Sequence, residues 1–281
     1  MHIQRGFPRL PPPGSEIQAR LLNHWIKDCD DTNRHDCCKP EALPKNLRAP
    51  TRLIHVGDLK SCTFTVKLDC SPEQRKGEKY IALSHPWGDK SKHARLCTTV
   101  KNIEDFQKSI KFDDLPKNFQ DAVTVTRSLN IQYLWIDSLC IKQKYESDDK
   151  SECDDGDFYE ECKFMEDYYC GAYCTIAATS ATGSSDGFLE TRLQAGSKAR
   201  QRHCYALNTR IGSESVAEST FYLCSAIDDF AEDVDKSRLS SRGWVFQERA
   251  LSRRTIHFAE TQVYFECGQG IRCETMTKLF K

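Results

Sequence analysis

Several familiar signals are missing from this sequence, and each absence removes a class of function. No run of about 18 apolar residues occurs, so no membrane-spanning helix is expected. There is no Asn-x-Ser/Thr sequon, no C-x-x-C pair, no G-x-G-x-x-G and no Walker A stretch. The marks of secretory glycosylation, of common zinc and dithiol sites, and of phosphate-cradling loops are therefore gone. An excess of one charge is lacking too. With 40 Lys+Arg against 41 Asp+Glu and a sequence pI near 6.7, the chain offers no electrostatic footprint for nucleic acid or an anionic membrane. The polar, proline-rich start from Met1 to Pro13 does not read as a signal peptide, and residues 1–14 are expected to be a disordered lead.

Cysteine, by contrast, is plentiful. Fifteen are scattered along 281 residues, an odd count unlike a secreted disulfide framework. Cys62, Cys140, Cys170, Cys174, Cys224 and Cys267 sit among apolar or aromatic neighbours, where a thiol behaves as a small hydrophobe. Reduced cysteines and a cytoplasmic protein are expected. Cys29, His35, Cys37 and Cys38 are irregularly spaced for a zinc site and include one His, so no metal is expected.

The periodicity predicts a helix over Glu16 to Lys27, then strands at Arg52–Val56, Thr63–Leu68 and Tyr80–Ser84. A helix is expected from Leu115 to Leu129, with Pro116 near its start, and a doubly buried strand from Tyr133 to Ile136. An acidic loop follows, then a helix over Phe158–Tyr169 and a strand over Tyr173–Ala178. Strands alternating with helices between residues 80 and 180 imply βαβ units and a parallel sheet. Beyond a basic linker near 196–203, strand-like segments at Phe221–Ser225 and Thr261–Cys267 flank a helix-like stretch from Arg242 to Leu251.

Four blocks carry a resemblance. They are Ala82-Leu83-Ser84-His85-Pro86-Trp87-Gly88; Leu115–Ala122 with Tyr133–Gln143; Met165, Tyr169 and Ala172 with Thr175–Ala178 and Gly187-Phe188-Leu189; and Ser241–Arg254. In this order they resemble the heterokaryon-incompatibility (HET) domain of fungi, over roughly residues 20–275. The Trp25, Cys29, His35 and Cys38 positions are similar to the lead-in of such proteins. The family commonly has Tyr where His85 stands, and Trp where Phe158 follows Asp157. The resemblance implies a cell-death function in non-self recognition. HET domains are in turn distantly similar to TIR domains, which implies a flavodoxin-like α/β core and cleavage of NAD. The expected fold is thus one domain over 15–281. It comprises an N-terminal helix and strands (15–79), a TIR-like core (80–195) and a C-terminal extension (196–281) bearing the Arg242–Arg254 motif.

Hydrolysis of the nicotinamide–ribose bond passes through an oxocarbenium-like transition state, which one carboxylate can stabilise. Nicotinamide leaves neutral, so no general acid is needed. The carboxylates singled out are Glu248, within the fourth block, and Asp137, at a strand end where α/β sheets bind ligands. Glu190 is the outsider. Glu248 is equally readable as half of a buried pair with Arg242 or Arg249, and Asp137 as a helix cap. Ser84, His85, Trp87, Gly88, Ser138, Gln143, Arg242, Trp244 and Gln247 are the candidate substrate-binding residues, although core packing is the simpler role for Trp244. NAD enters as substrate, not cofactor.

Gly183-Ser184-Ser185-Asp186-Gly187 matches a nucleophile elbow, with His203 and His257 downstream, but such turns arise readily by chance. Self-association is the expected control, with Asp148–Asp157 and the basic Arg249, Arg253 and Arg254 meeting across an interface. A separate sensor or activating protein is an expected partner, and a non-catalytic oligomerisation module is the competing function.

Overall fold

A computed structural model describes residues 9–31, 38–39, 43–57, 65–89, 91–92, 95–145, 154–190, 204–211, 217–224, 227–276 and 278–279. Helix α1 (Glu16–Asp31) buries the stripe Leu21, Leu22, Trp25, Ile26 and Cys29. Strands β1 (Leu53–His55) and β2 (Thr65–Asp69) follow, then β3 (Tyr80–Ser84), whose five residues are all buried. After α2 (Ile103–Lys108) and β4 (Ile110–Lys111), α3 (Lys117–Ser128) starts behind Pro116, whose fixed φ suits a helix entrance. Strand β5 (Tyr133–Trp135) runs into the single turn α4 (Asp137–Cys140). Short helices α5 (Phe158–Glu161) and α6 (Met165–Gly171) lead to β6 (Cys174–Ala177).

A two-stranded ladder of β7 (Cys204–Ile211) and β8 (Ala217–Cys224) stands apart from the main sheet. Helix α7 (Gly243–Leu251) precedes β9 (Arg254–Phe258), β10 (Val263–Cys267), β11 (Gly270–Cys273) and β12 (Lys278–Leu279).

The main sheet runs β12-β11-β10-β9-β6-β3-β5-β1-β2-β4. Its centre is parallel: β3 pairs with both β5 and β6, and β6 with β9. The flanks, β1-β2-β4 and β10-β11-β12, are antiparallel. Along the sheet, the four parallel strands therefore stand in the order second, first, third, fourth. Successive connections leave β3 in opposite directions, so a crevice opens beyond the carboxyl ends of β3 and β6. Helices cover the sheet: α1 packs with α3, and α6 with α7.

Three features differ from expectation. The parallel core does not stop near residue 195, because β9 is its fourth strand and β10 to β12 prolong the same sheet. Polar Arg254, Thr255 and His257 disguised β9, yet all five of its residues are buried. Trp244 lies on the outer side of α7 with 59% of its surface exposed, beside Phe246 at 76%. And within the expected disordered lead, Pro11 is buried and the Gly14 amide donates to Gln18 Oε1. Residues 1–8 lie outside the described residues.

Candidate functional site

The carboxyl ends of β3 and β5 deliver the first groups. Ser84 is the last residue of β3, and His85 follows it into the interior. Asp137 opens α4 directly after β5 and accepts from the Trp87 indole Nε1–H at 2.8 Å and from the Ser138 amide at 2.7 Å. The helix-cap role is thus minor, and Asp137 joins two loops. His85 Nδ1 stands 3.9 Å from Asp137 Oδ1. Burial pushes the His85 pKa below its ordinary 6.5, with Asp137 opposing and Arg242 adding, so the imidazole is neutral at pH 7. Its ring meets Phe119 edge-on at 5.0 Å.

Helix α7 supplies the second carboxylate. Only Val245 and Glu248 of this helix are buried, three residues apart and hence on one face. Burial pushes the Glu248 carboxyl up to about 7. The Ser84 and Tyr169 hydroxyls and Arg242 oppose that rise, and the Asp137 charge adds to it. Ser84 lies close enough to act electrostatically but not in hydrogen-bonding geometry, so Ser84 Oγ and Glu248 Oε2 each lack a partner. The expected Arg–Glu pair does not form with Arg249, which is committed to Glu266 and Asp235. Arg242 instead donates to the His85 carbonyl at 2.6 Å, pinning the β3 loop to the start of α7.

Six buried side-chain polar atoms lack a hydrogen-bond partner among the described residues. Four of them belong here: Ser84 Oγ, His85 Nε2, Ser138 Oγ and Glu248 Oε2. Such orphans cost about 1–3 kcal/mol each unless a water or ligand satisfies them, so a cluster of them marks a candidate binding site.

The sequence blocks explain how the loops hold. Asp121 Oδ2 accepts from the Phe188 and Leu189 amides, tying the second block to the third. Gly187 has φ +77°, and a Cβ there would lie 2.6 Å from Lys117 Cγ and 2.9 Å from Asp121 Oδ2, so the turn needs glycine. Asn118 donates to the Gly183 carbonyl, and Ser184 Oγ donates to the Trp87 carbonyl. Gly88, also at positive φ, receives Arg95 at its carbonyl.

Other candidates fall elsewhere. Gln143 is half-buried and donates to the Ile141 carbonyl. Trp244 and Gln247 are exposed on α7. Glu190 is exposed and pairs with Lys117 at 3.3 Å, a solvated ion pair. The nucleophile-elbow Ser185 is exposed, and His257 is bound to Glu266, so no triad forms among the described residues; His203 lies outside them. The basic trio expected at an interface is used internally. Arg249 serves Glu266 and Asp235, Arg254 pairs with Asp30, and Arg253 donates to the Cys38 and Ala172 carbonyls. Tyr169, beside Glu248, is the site residue that sequence reasoning missed, although it stands in the third block.

One small cavity borders the cluster, and a larger one lies beyond the Ser237–Ser240 turn. The small one, about 10 Å³ and the size of a single water, lies against Ser84, Ala177, Leu239, Val245 and His257. The other, about 500 Å³ and polar, is lined by Thr179 and Ser180 after β6, Glu260 and Thr261 after β9, and Asp233 and Arg238. The turn carrying Ser237 to Ser240 forms part of the wall of each. No helix among the described residues is long and apolar enough to cross a membrane.

Compared with known families, residues 80–248 match the heterokaryon incompatibility protein (HET) family. No curated protein matches the chain, and no solved structure does.

Proposed function

Starting from a chain that belongs to the heterokaryon-incompatibility family, with the fungal role that family carries, we propose that its cluster at the ends of β3 and β5 hydrolyses NAD to nicotinamide and ADP-ribose. The observation that carries this reading is the set of four unpartnered buried polar atoms gathered around two carboxylates. The Glu248 carboxylate stabilises the ribosyl cation as the C1′–nicotinamide bond breaks, nicotinamide departs with the bonding pair as a neutral base, and water adds at C1′ and gives up one proton to solvent. Ser84, Ser138 and neutral His85 hydrogen-bond the ribose hydroxyls, and Asp137 keeps the loops in place. The second-first-third-fourth strand order, which is also how flavodoxin-like sheets begin, supports a TIR-like comparison.

Ser84, His85, Ser138 and Glu248 are each at most 8% exposed. Substrate entry therefore requires α7, with Arg242, to shift outward. Self-assembly at raised concentration, which a sensor protein promotes, provides that shift and switches on cell death. Incubating the purified chain with NAD and quantifying nicotinamide tests the reading; no release at any protein concentration refutes it. One observation favours the second reading, a non-catalytic assembly module: the exposed Trp244 and Phe246 sit on the outer face of this same helix.

A further inference from the structure

Three thiols meet near the start of β9, toward the opposite end of the parallel strands from Ser84. Cys29 lies near the end of α1, Cys38 follows that helix, and Cys267 ends β10. Their Sγ atoms all fall within 4.8 Å of one another. His35 and Cys37, weighed with Cys29 and Cys38 in the sequence, lie outside the described residues; Cys267, remote in sequence, is the member that spacing could not reveal. Thiolates bound to zinc at about 2.3 Å stand roughly 3.8 Å apart in a tetrahedron, so a small contraction suffices.

Charge points the same way. Arg254 is buried, with Nε 3.3 Å from Cys29 Sγ and its guanidinium paired with Asp30. Arg253 donates to the Cys38 carbonyl at 3.0 Å, while its own buried Nε lacks a partner. With neutral thiols, two guanidinium groups face one carboxylate among the described residues, an excess of positive charge there. Three thiolates around a divalent ion cancel that excess.

We propose that Cys29, Cys38 and Cys267 are three thiolate ligands of a structural zinc ion. The ion clamps the end of α1 and Cys38 to the end of β10, and its binding releases the three thiol protons. It stands apart from the carboxylate cluster and does not depend on what that cluster does.

The test is the metal content of the full chain expressed in zinc-supplemented medium and desalted without chelator. One zinc per chain is expected, with a fall of at least tenfold in Cys267→Ser and no change in the control Cys162→Ser. Cobalt-loaded wild-type protein should show an intense thiolate-to-cobalt charge-transfer band, which keeps the test decisive if Cys267→Ser fails to fold. Wild-type protein with zinc below about a tenth of stoichiometric, a Cys267→Ser variant that retains its zinc, or cobalt protein without that band would each overturn the proposal. A disulfide between two of the three, found in place of metal, would do so as well.

Discussion

Two buried histidines, on β9 and at the end of β3, received opposite surroundings. His257 Nε2 lies 3.0 Å from Glu266 Oε2, and Glu266 is held by Arg249 through contacts of 2.7 and 3.1 Å. Arg249 in turn reaches Asp235. Every charge in that cluster has a partner of opposite sign. His85 has a carboxylate at 3.9 Å, an Nε2 with no partner, and neighbours in Ser84 and Glu248 that are equally unsatisfied. Both imidazoles are held below their ordinary pKa by burial. Burial alone therefore does not distinguish a structural ionisable group from a functional one; partner accounting does.

Mutation should separate the two clusters. Glu248→Gln is expected to cut nicotinamide release roughly 10²–10³-fold, the scale for losing one electrostatic stabiliser of a transition state. An unchanged rate would break the comparison. Glu266→Gln should do the reverse, costing about 3 kcal/mol in denaturant melts because a buried charge network loses its centre. The rate per folded molecule should stay within about twofold of wild type.

The pH dependence sharpens the contrast. The folded pKa of Glu248 is raised from 4.5 to about 7, so its protonated form is the one the fold prefers. That contribution is fully present below pH 4.5 and is lost as pH rises through about 7. The stability of wild type relative to Glu248→Gln should thus fall by about 3 kcal/mol between pH 4 and 8, measured by paired melts. NAD cleavage, which needs the carboxylate, should rise over the upper part of the same range. A flat stability difference would mean that Glu248 is paired. The smallest effect belongs to the helix surface: Trp244→Ala with Phe246→Ala should change stability by less than about 0.5 kcal/mol per site. If activity depends on assembly through this face, the double variant should also lose any concentration dependence of specific activity over a hundredfold dilution.

The residues explain why some of this was legible and some was not. Tyr133-Leu134-Trp135-Ile136 announces a doubly buried strand because no polar residue interrupts it, and Asp137 then falls where parallel strands present ligands. Ser84 and His85 were readable on the same logic. Arg254-Thr255-Ile256-His257-Phe258 hid a central strand because its two ionisable members are satisfied by partners outside the strand, Arg254 by Asp30 and His257 by Glu266. Such pairings leave no local trace. Trp244 misled for a related reason: α7 buries one narrow face bearing Val245 and Glu248, and an aromatic residue in a short helix does not declare its side.

The position of α7 along the chain has a consequence for biosynthesis. Ser84, His85 and Asp137 belong to strands made early, whereas Glu248 arrives just before β9, the last parallel strand. A nascent chain that has emerged only through β6 carries Ser84, His85 and Asp137 but not Glu248. The candidate site is therefore complete only once α7 has emerged, and a product terminated before α7 lacks the Glu248 carboxylate.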